Sequence, residues 1–284
     1  MIGEAELRRK AATWSVDPMV VDLDYSLGWF VAAFYAANEN ASRLYFKGGT
    51  CLRKCYFDNY RFSEDLDFTA TIRFDPERLS RWIDRASQWS ADRAGPNYEA
   101  APSRVEMLRD EYGGETYQVR VYYRGPLQWG GSPRAIRLDV TRDEVVMFSP
   151  QIRELIHPYS DIASLQAPGI MCYSLAEILM EKLRAIGGQR RFAVSRDLYD
   201  VHQLVRAGVI ISEVLSMLDA KFSARGMDPA ASSAQHLTDR RESFQDDWER
   251  RLSYLVHDEQ GTDFETAWDT VVDVLQQIEG QRHT

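Results

Sequence analysis

The segment of residues 43–67 constrains the fold more than any other part of this chain. It begins with an apolar run, RLYFK, that predicts a short strand. The turn Gly48-Gly49 follows, and Thr50 is a plausible N-cap for a helix to about residue 57. Residues 64–70, EDLDFTA, alternate in the way of a second strand. The pattern predicts a strand, a glycine turn, a helix and a strand in succession.

The second strand carries Asp65 and Asp67 two positions apart. Because residues i and i+2 of a strand point to the same face, we expect the two carboxylates to converge. Converged carboxylates repel one another unless a cation lies between them, and magnesium prefers such hard oxygen ligands together with phosphate oxygens. The glycine turn offers backbone N–H groups and the Thr50 hydroxyl at the positive end of a helix, which suits a triphosphate. The combination predicts metal-assisted attack on the α-phosphate of a nucleotide.

Each feature alone is ordinary, since a Gly-Gly pair is usually only a turn and an Asp-x-Asp strand is usually a solvated face. Their conjunction, with fifteen residues between Gly49 and Asp65, is far more specific. A third acid, Asp139, lies in the predicted strand IRLDVT. Alone it would be an edge-strand charge; beside a two-carboxylate site it becomes a candidate third metal ligand or general base.

The rest of the chain predicts two domains. Residues 19–37 and 76–93 predict helices, 116–124 and 135–141 predict strands joined by a hairpin loop, and 95–114 predicts irregular structure. From about residue 174 the period becomes helical, with two helices and then three further helical stretches. We therefore expect an α+β domain over residues 1–160 and a helical domain over 161–284, with the boundary among the prolines and polar residues of 150–172.

Two residues of the helical region stand out, because Lys182 and Asp197 each lie at the polar edge of an otherwise apolar helix. Lys182 could be a surface lysine, or it could neutralise charge on a leaving pyrophosphate. Asp197 lies near the N-terminus of its helix, where its negative charge interacts favourably with the helix dipole whatever other role it has. Residues 178–210 hold six Lys/Arg against three Asp/Glu, which predicts a phosphate-backbone contact surface or simply solvated helix faces. The arginines of the predicted RNA contact surface are Arg184, Arg190, Arg191 and Arg196.

Composition limits the cellular compartments and the binding partners to be expected for this chain. The net charge of -9 comes almost wholly from residues 211–284, with 15 Asp/Glu against 7 Lys/Arg, so a basic surface remains possible elsewhere. No run approaches the roughly 18 apolar residues of a membrane span, and the N-terminus lacks the apolar core of a signal peptide. The three cysteines show no paired CxxC motif, which argues against a disulfide framework or zinc ribbon. We expect Cys51 and Cys55 to be buried packing residues in a cytoplasmic protein.

Four stretches together resemble the AbiEii/MenT family of nucleotidyltransferase toxins, within the DNA polymerase β-like nucleotidyltransferase superfamily. They are Phe46-Lys47-Gly48-Gly49-Thr50, Arg61-Phe62-Ser63-Glu64-Asp65-Leu66-Asp67-Phe68, Glu181-Lys182-Leu183 and Arg196-Asp197-Leu198-Tyr199-Asp200. The resemblance runs from about residue 18 to 206, and it thins through 75–130 and over the acidic C-terminal helices.

The resemblance implies an α+β, polymerase β-like domain with a mixed sheet and flanking helices, followed by a helical domain that contributes to the site. Members of the family are toxins of bacterial toxin–antitoxin or abortive-infection systems. Some transfer a nucleotide from a nucleoside triphosphate to the 3′ acceptor end of tRNA and so halt translation. The implied cofactor is Mg²⁺, with Mn²⁺ as a substitute, and the implied partners are tRNA and a cognate antitoxin, without a membrane.

The same resemblance assigns roles to individual residues. The phosphates of the nucleotide would be held by the residues of the glycine motif and its neighbour, Lys47, Gly48, Gly49, Thr50 and Ser63. Asp65 and Asp67, with Asp139 as a weaker candidate, would bind magnesium, Lys182 would contact the nucleotide, and Asp197 would complete the site. Ser63 also matches a position that the antitoxin phosphorylates in some relatives, although a local turn hydroxyl is an equal alternative. Asp200 would lie either at the site or merely on the same helix face.

Two other functions remain open at this point. The same fold could transfer a nucleotide or a phosphate to a protein or a small molecule. A non-catalytic nucleotide-binding or antitoxin-binding module is the third hypothesis, and the intact set of candidate residues argues against it.

Overall fold

The computed structural model describes residues 1–109, 114–128, 130–189, 192–231, 233–256 and 262–282. Packing divides the chain into two units, one of residues 1–144 and 150–172 and the other of residues 145–149 and 173–284. In the first unit the helices are α1 (Glu4–Thr13), α2 (Pro18–Ala37), α3 (Gly48–Cys51), α4 (Pro76–Ala91) and α5 (Ile162–Leu165). Its strands are β1 (Leu44–Lys47), β2 (Asp65–Ala70), β3 (Asn97–Arg109), β4 (Glu115–Arg124), β5 (Arg134–Thr141), β6 (Gln151–Arg153) and β7 (Ile170–Cys172).

The strands form a mixed sheet of seven, counted over the described residues, in the order β3-β4-β5-β2-β1-β7-β6. β2 is antiparallel to β1 and parallel to β5, while β1 is parallel to β7. The predicted hairpin of β4 and β5 is confirmed by their antiparallel register. The expectation that 95–114 is irregular is wrong, because β3 occupies residues 97–109. β3 is an edge strand with mostly exposed side chains, so it lacks the apolar alternation that identifies a half-buried strand.

Helix α2 forms the centre of the first unit. Its start is fixed by Asp17, whose side chain accepts a hydrogen bond from the Met19 amide, and by Pro18 in the first turn. Every residue from 21 to 35 is buried. A helix that is apolar on all sides must be surrounded by other elements of the fold. Toward the sheet, Phe34 packs against Phe68 of β2, with 5.7 Å between the ring centroids. The sheet therefore turns its apolar face, with Leu66 and Phe68, toward this helix.

One buried charge on α2 is bound by the segment after the glycine motif. Asp24 accepts hydrogen bonds from Arg53 Nε at 2.5 Å and from Lys54 Nζ at 2.7 Å, and Tyr159 donates a third at 2.7 Å. Burial alone would raise the pKa of Asp24, but the charges of Arg53 and Lys54 outweigh it and hold that pKa well below its usual range. Burial also lowers the pKa of Lys54 to about 8, against the opposing effect of Asp24.

The boundary between the two units lies after Cys172, later in the chain than the predicted boundary at residue 160. The reason is β7, which pairs with β1 through Phe46 and Cys172 and so belongs to the sheet of the first unit. Residues 145–149 belong to the second unit because Glu177 Oε2 accepts hydrogen bonds from the amides of Met147 and Phe148, both at 2.8 Å.

The second unit is helical, as predicted. Its described helices are α6 (Leu175–Arg184), α7 (Ser195–Arg206), α8 (Ile211–Ser223), α9 (Ala234–Thr238), α10 (Arg241–Asp247) and α11 (Phe264–Arg282). A buried ion pair joins α6 to α8, where Lys221 Nζ lies 2.7 Å from Glu177 Oε1. In the described part of the chain, four helices follow α7, one more than the sequence predicts, because α9 and α10 are separate short helices. None of the described helices combines the length and apolar character that crossing a membrane requires.

We expect Asp24→Asn to destabilise the protein by about 3–5 kcal/mol, because Arg53 and Lys54 would stay buried without their counter-charge. Asp22→Asn is the matched control on the same helix. Asp22 is also buried, but burial raises the pKa of its carboxyl, so less ionic interaction is lost. Urea denaturation of the two variants measures the difference. Equal losses would show that the ion pairs of Asp24 add nothing to the fold.

Candidate active site

Three carboxylates share one face of the sheet. Asp65 and Asp67 alternate with buried Leu66 on β2, and parallel pairing places Asp67 directly beside Asp139 of β5. On the other side of β2, the antiparallel register pairs Lys47 with Asp67. All three aspartates are partly buried. The predicted same-face arrangement of Asp65 and Asp67 is thus present, and Asp139 belongs to the same group.

The charges of this group act on one another. Burial raises the pKa of Asp139 to about 6, and the negative charges of Asp67 and Asp65 add to the effect. Lys47 and Arg137 oppose it. No local sequence signal marks Arg137, because its register position beside Asp65 depends on the long-range pairing of β2 with β5. The cluster therefore has an excess of negative charge that a cation would relieve.

The glycine turn lies directly against this cluster. Gly48 has a φ of +77°, and a Cβ built on it would lie 3.2 Å from Asp67 Cγ, with one carboxylate oxygen closer still. Only a residue without a side chain fits both the left-handed backbone and the contact. The predicted N-cap role of Thr50 is wrong, because α3 begins at Gly48 after Lys47. Thr50 is buried instead and donates its hydroxyl hydrogen to the Asp65 carbonyl, which ties the turn to β2.

The second glycine of the turn meets the loop before β2. A Cβ on Gly49 would lie 2.5 Å from Arg61 Nη2 and 3.1 Å from Ser63 Oγ. Ser63, a predicted nucleotide-binding residue, is therefore next to the turn and half-buried. Arg61 is a motif residue to which the resemblance assigns no role; it is buried, and its Nη1 donates to the Phe62 carbonyl at 3.1 Å. It supports the glycine turn from the side of the motif loop.

In the second unit, Lys182 joins two aspartates of α7. Its Nζ lies 2.7 Å from Asp197 Oδ1 and 2.7 Å from Asp200 Oδ2. All three side chains are buried, so Lys182 is not the exposed surface lysine of the alternative hypothesis. Asp200, whose placement the sequence left open, shares this ion pair. The motif residues Lys182, Asp197 and Asp200 thus form one buried group within their own unit.

One arginine of the predicted RNA contact surface is buried in the structure. Arg184 is only 2% exposed, and its Nη2 lies 3.7 Å from Glu181 Oε1, so it is not part of an exposed phosphate-binding surface. The expectation failed because α6 is buried on more sides than its polar residues suggest. Arg196 is partly exposed. Arg190 and Arg191 lie outside the described residues.

The three cysteines are buried, as predicted for Cys51 and Cys55. Cys172 joins them, and the three Sγ atoms all lie within 4.8 Å of one another. Burial raises the pKa of Cys55, but hydrogen bonds with Cys172 and Cys51 and the charges of Lys54 and Arg153 outweigh it and lower the pKa. The expectation that these thiols have no basic partner is therefore wrong: Lys54 is adjacent to Cys55 in the sequence, and Arg153 is distant along the chain.

Comparison with known proteins identifies the family to which this chain belongs. Residues 29–273 match the family described as nucleotidyl transferase AbiEii toxin, type IV toxin–antitoxin system. The chain belongs to the AbiEii toxin family. It is therefore a nucleotidyltransferase, and the resemblance inferred from its motifs is confirmed. No curated protein sequence matches this AbiEii family member.

Two solved structures share the fold of this AbiEii protein. The MenT4 nucleotidyltransferase toxin from Mycobacterium tuberculosis aligns with a TM-score of 0.64 and 18% identity, over 98% of this chain and 90% of that one. A proposed nucleotidyltransferase from H. pylori aligns with a TM-score of 0.54 and 18% identity, over 92% of this chain and 95% of that one. These likenesses confirm the predicted α+β nucleotidyltransferase fold with a helical C-terminal region.

The donor set on the sheet fits a divalent metal ion. Asp65, Asp67 and Asp139 supply hard carboxylate oxygens on one face, and burial together with their mutual repulsion raises the pKa of Asp139. Nucleotidyltransferases generally take a nucleoside triphosphate together with a divalent metal, and these side chains are the candidates to hold it.

Replacing Gly48 tests the contact between the turn and the carboxylates. Gly208 is a matched control, with a φ of +81° but no atom within 4 Å of an added Cβ. Gly208→Ala should cost about 1–2 kcal/mol of stability, from the left-handed backbone alone, and leave activity unchanged. Gly48→Ala should cost more and also lower nucleotide transfer, because it displaces the Asp67 carboxylate. The two readouts are thermal unfolding and transfer rate; equal behaviour of the variants would contradict the assigned contact.

The raised pKa of Asp139 predicts a pH-dependent stability in metal-free buffer with chelator. The folded protein binds the proton of Asp139 more tightly than the unfolded chain, so this carboxyl lowers stability as the pH rises from its ordinary value of 3.8 to about 6. Asp139→Asn removes the ionisation. We expect the variant to unfold at a higher temperature than the wild type above about pH 6. The difference should shrink as the pH falls toward 4. A pH-independent difference would exclude this electrostatic origin.

Proposed function

We propose that this AbiEii toxin is a magnesium-dependent enzyme that transfers a nucleoside monophosphate from a nucleoside triphosphate to the 3′ acceptor end of tRNA, and so blocks translation. The observation that carries the proposal is the group of Asp65, Asp67 and Asp139 on one face of adjacent strands, directly beside the Gly48 turn. The family gives the reaction class and the toxin role. Magnesium is favoured among divalent ions by the all-oxygen donor set and by a phosphate-bearing substrate.

The side chains on the sheet have different proposed roles in the reaction. Asp65 and Asp67 would hold the metal ion, whose positive charge would stabilise the negative charge on the triphosphate and on the attacking oxygen. Asp139 acts either as a third metal ligand or as the base that accepts the proton of the attacking hydroxyl. That hydroxyl oxygen forms a bond to the α-phosphorus, and the bond from phosphorus to the pyrophosphate oxygen breaks. The proposed role of Lys47, the register partner of Asp67, is to offset the growing negative charge.

Other assignments follow the family motifs. Gly48, Gly49, Thr50 and Ser63 lie together around the turn and are proposed to surround the nucleotide phosphates, with Thr50 acting through its hydrogen bond to β2. Phosphorylation of Ser63 by an antitoxin would add negative charge beside that turn and oppose nucleotide entry. The nucleotide contact of Lys182 and the role of Asp197 rest on the motifs alone. A cytoplasmic location agrees with tRNA as the acceptor.

Transfer of radioactive label tests the proposal. The purified full chain is incubated with total RNA, MgCl₂ and each of the four nucleoside triphosphates, labelled at either the α- or the γ-phosphate. We expect label on tRNA from the α position only, lost on chelation and restored by Mg²⁺ or Mn²⁺. Asp65→Asn should abolish the transfer. Asp58→Asn, at an exposed position of the preceding loop, is the matched control and should retain it.

Each other outcome rejects part of the proposal. Label from the γ position would indicate a phosphotransferase, and α-label on a protein or small molecule would identify another acceptor. Nucleotide binding without any transfer would indicate a non-catalytic module. Full activity of Asp65→Asn would reject the carboxylate cluster as the metal site. Mass analysis of tRNA 3′ ends then identifies the added nucleotide.

A further inference from the structure

The three cysteines form a compact sulfur cluster beside the glycine turn, separate from the carboxylates on the sheet. Cys51 ends α3, and Cys55 lies in the π-helical turn Leu52–Tyr56 that continues it. Cys172 ends β7. All three residues are at most 2% exposed, and the Sγ atoms are mutually within 4.8 Å.

The local backbone explains how two of the thiols come to point the same way. In the turn Leu52–Tyr56 the Phe57 amide donates to the Leu52 carbonyl at 2.9 Å, an i→i+5 hydrogen bond. Positions four apart, such as Cys51 and Cys55, lie on nearly the same side of a helix, and the wider turn preserves this arrangement. Single π-helical turns of this kind are rare and are frequent at functional sites.

Pairing within the sheet supplies the third thiol. Cys172 is the register partner of Phe46 on β1, the strand that leads into the glycine turn. Three sulfurs around one d¹⁰ metal ion, each at about 2.3 Å from it, lie roughly 4 Å apart. The observed separations are compatible with this spacing after small side-chain adjustments. Thiolate ligands select soft or borderline metals rather than magnesium.

We propose that Cys51, Cys55 and Cys172 form a binding site for a single thiophilic metal ion of the Zn²⁺/Cd²⁺ class, which clamps the glycine-turn helix to β7. On binding, each S–H bond breaks, three protons pass to solvent, and three metal–sulfur bonds form without any redox change. The bound group would carry a net charge of about −1, from three thiolates and a divalent ion. Arg153 is adjacent to offset it, since its Nε donates to the Cys55 carbonyl at 3.1 Å.

Cadmium titration of the reduced full chain under anaerobic conditions tests the site. These are the three cysteines of the whole sequence, so ultraviolet thiolate-to-cadmium absorption reports this cluster alone. We expect saturation at one ion per chain, release of protons, a higher unfolding temperature and displacement of Cd²⁺ by Zn²⁺. Cys172→Ser should weaken binding by more than the roughly 10–100-fold that loss of an outer-sphere partner costs.

The control is the double variant Asp65→Asn/Asp139→Asn, which alters the carboxylate cluster and should keep the full thiolate absorption. Circular dichroism verifies that Cys172→Ser is folded, and Cys172→Ala replaces it if it is not. Absence of thiolate absorption in the wild type at excess Cd²⁺ would overturn the proposal and leave a packing cluster. Unchanged binding by a folded Cys172 variant would also overturn it. Neither result depends on nucleotide transfer, so the proposed function stands or falls separately.

Discussion

The ion pairs of Asp24 hold the functional turn in place. This carboxylate, on the central helix α2, binds Arg53 and Lys54, which lie in the helical turn Leu52–Tyr56 after the glycine motif. A buried charge that loses its partner is costly, so the segment after the turn has one favourable position against α2. The Arg53 guanidinium also donates to the Tyr60 carbonyl, which extends the restraint into the loop before β2. A polar interaction in the core thus aligns the two ends of the motif that carries the chemistry.

The opposite situation holds on the other face of the sheet. There, like charges of Asp65, Asp67 and Asp139 lie side by side, and burial together with this repulsion raises the pKa of Asp139. Active sites commonly keep such unfavourable groups because the energy is recovered when substrate and metal bind. The apolar residues that alternate with them, Leu66 and Leu138, are fully buried against the core. Burial of these apolar residues therefore stabilises the same strands and offsets the repulsion between the carboxylates.

Local patterns predicted most of the elements, while long-range contacts decided what the sequence missed. α2 and β2 were recognisable from periodicity, and the same-face placement of Asp65 and Asp67 follows from strand geometry alone. β3 was missed because an exposed edge strand has no apolar alternation. Thr50 was misassigned as a cap because its hydroxyl instead bonds a carbonyl of β2. The sulfur cluster needs Cys172, whose pairing with β1 leaves no trace in local sequence.

The pairing of β7 with β1 also has a consequence for synthesis of the protein on the ribosome. β1 lies between β2 and β7, and its neighbour β7 is translated more than a hundred residues after it. The nascent sheet therefore keeps an open inner edge until Cys172 has left the exit tunnel, and such edges invite pairing with other chains. A fragment that stops at residue 160 would carry that edge permanently. In a first unit produced alone, this edge of β1 is covered only if the chain extends through β7.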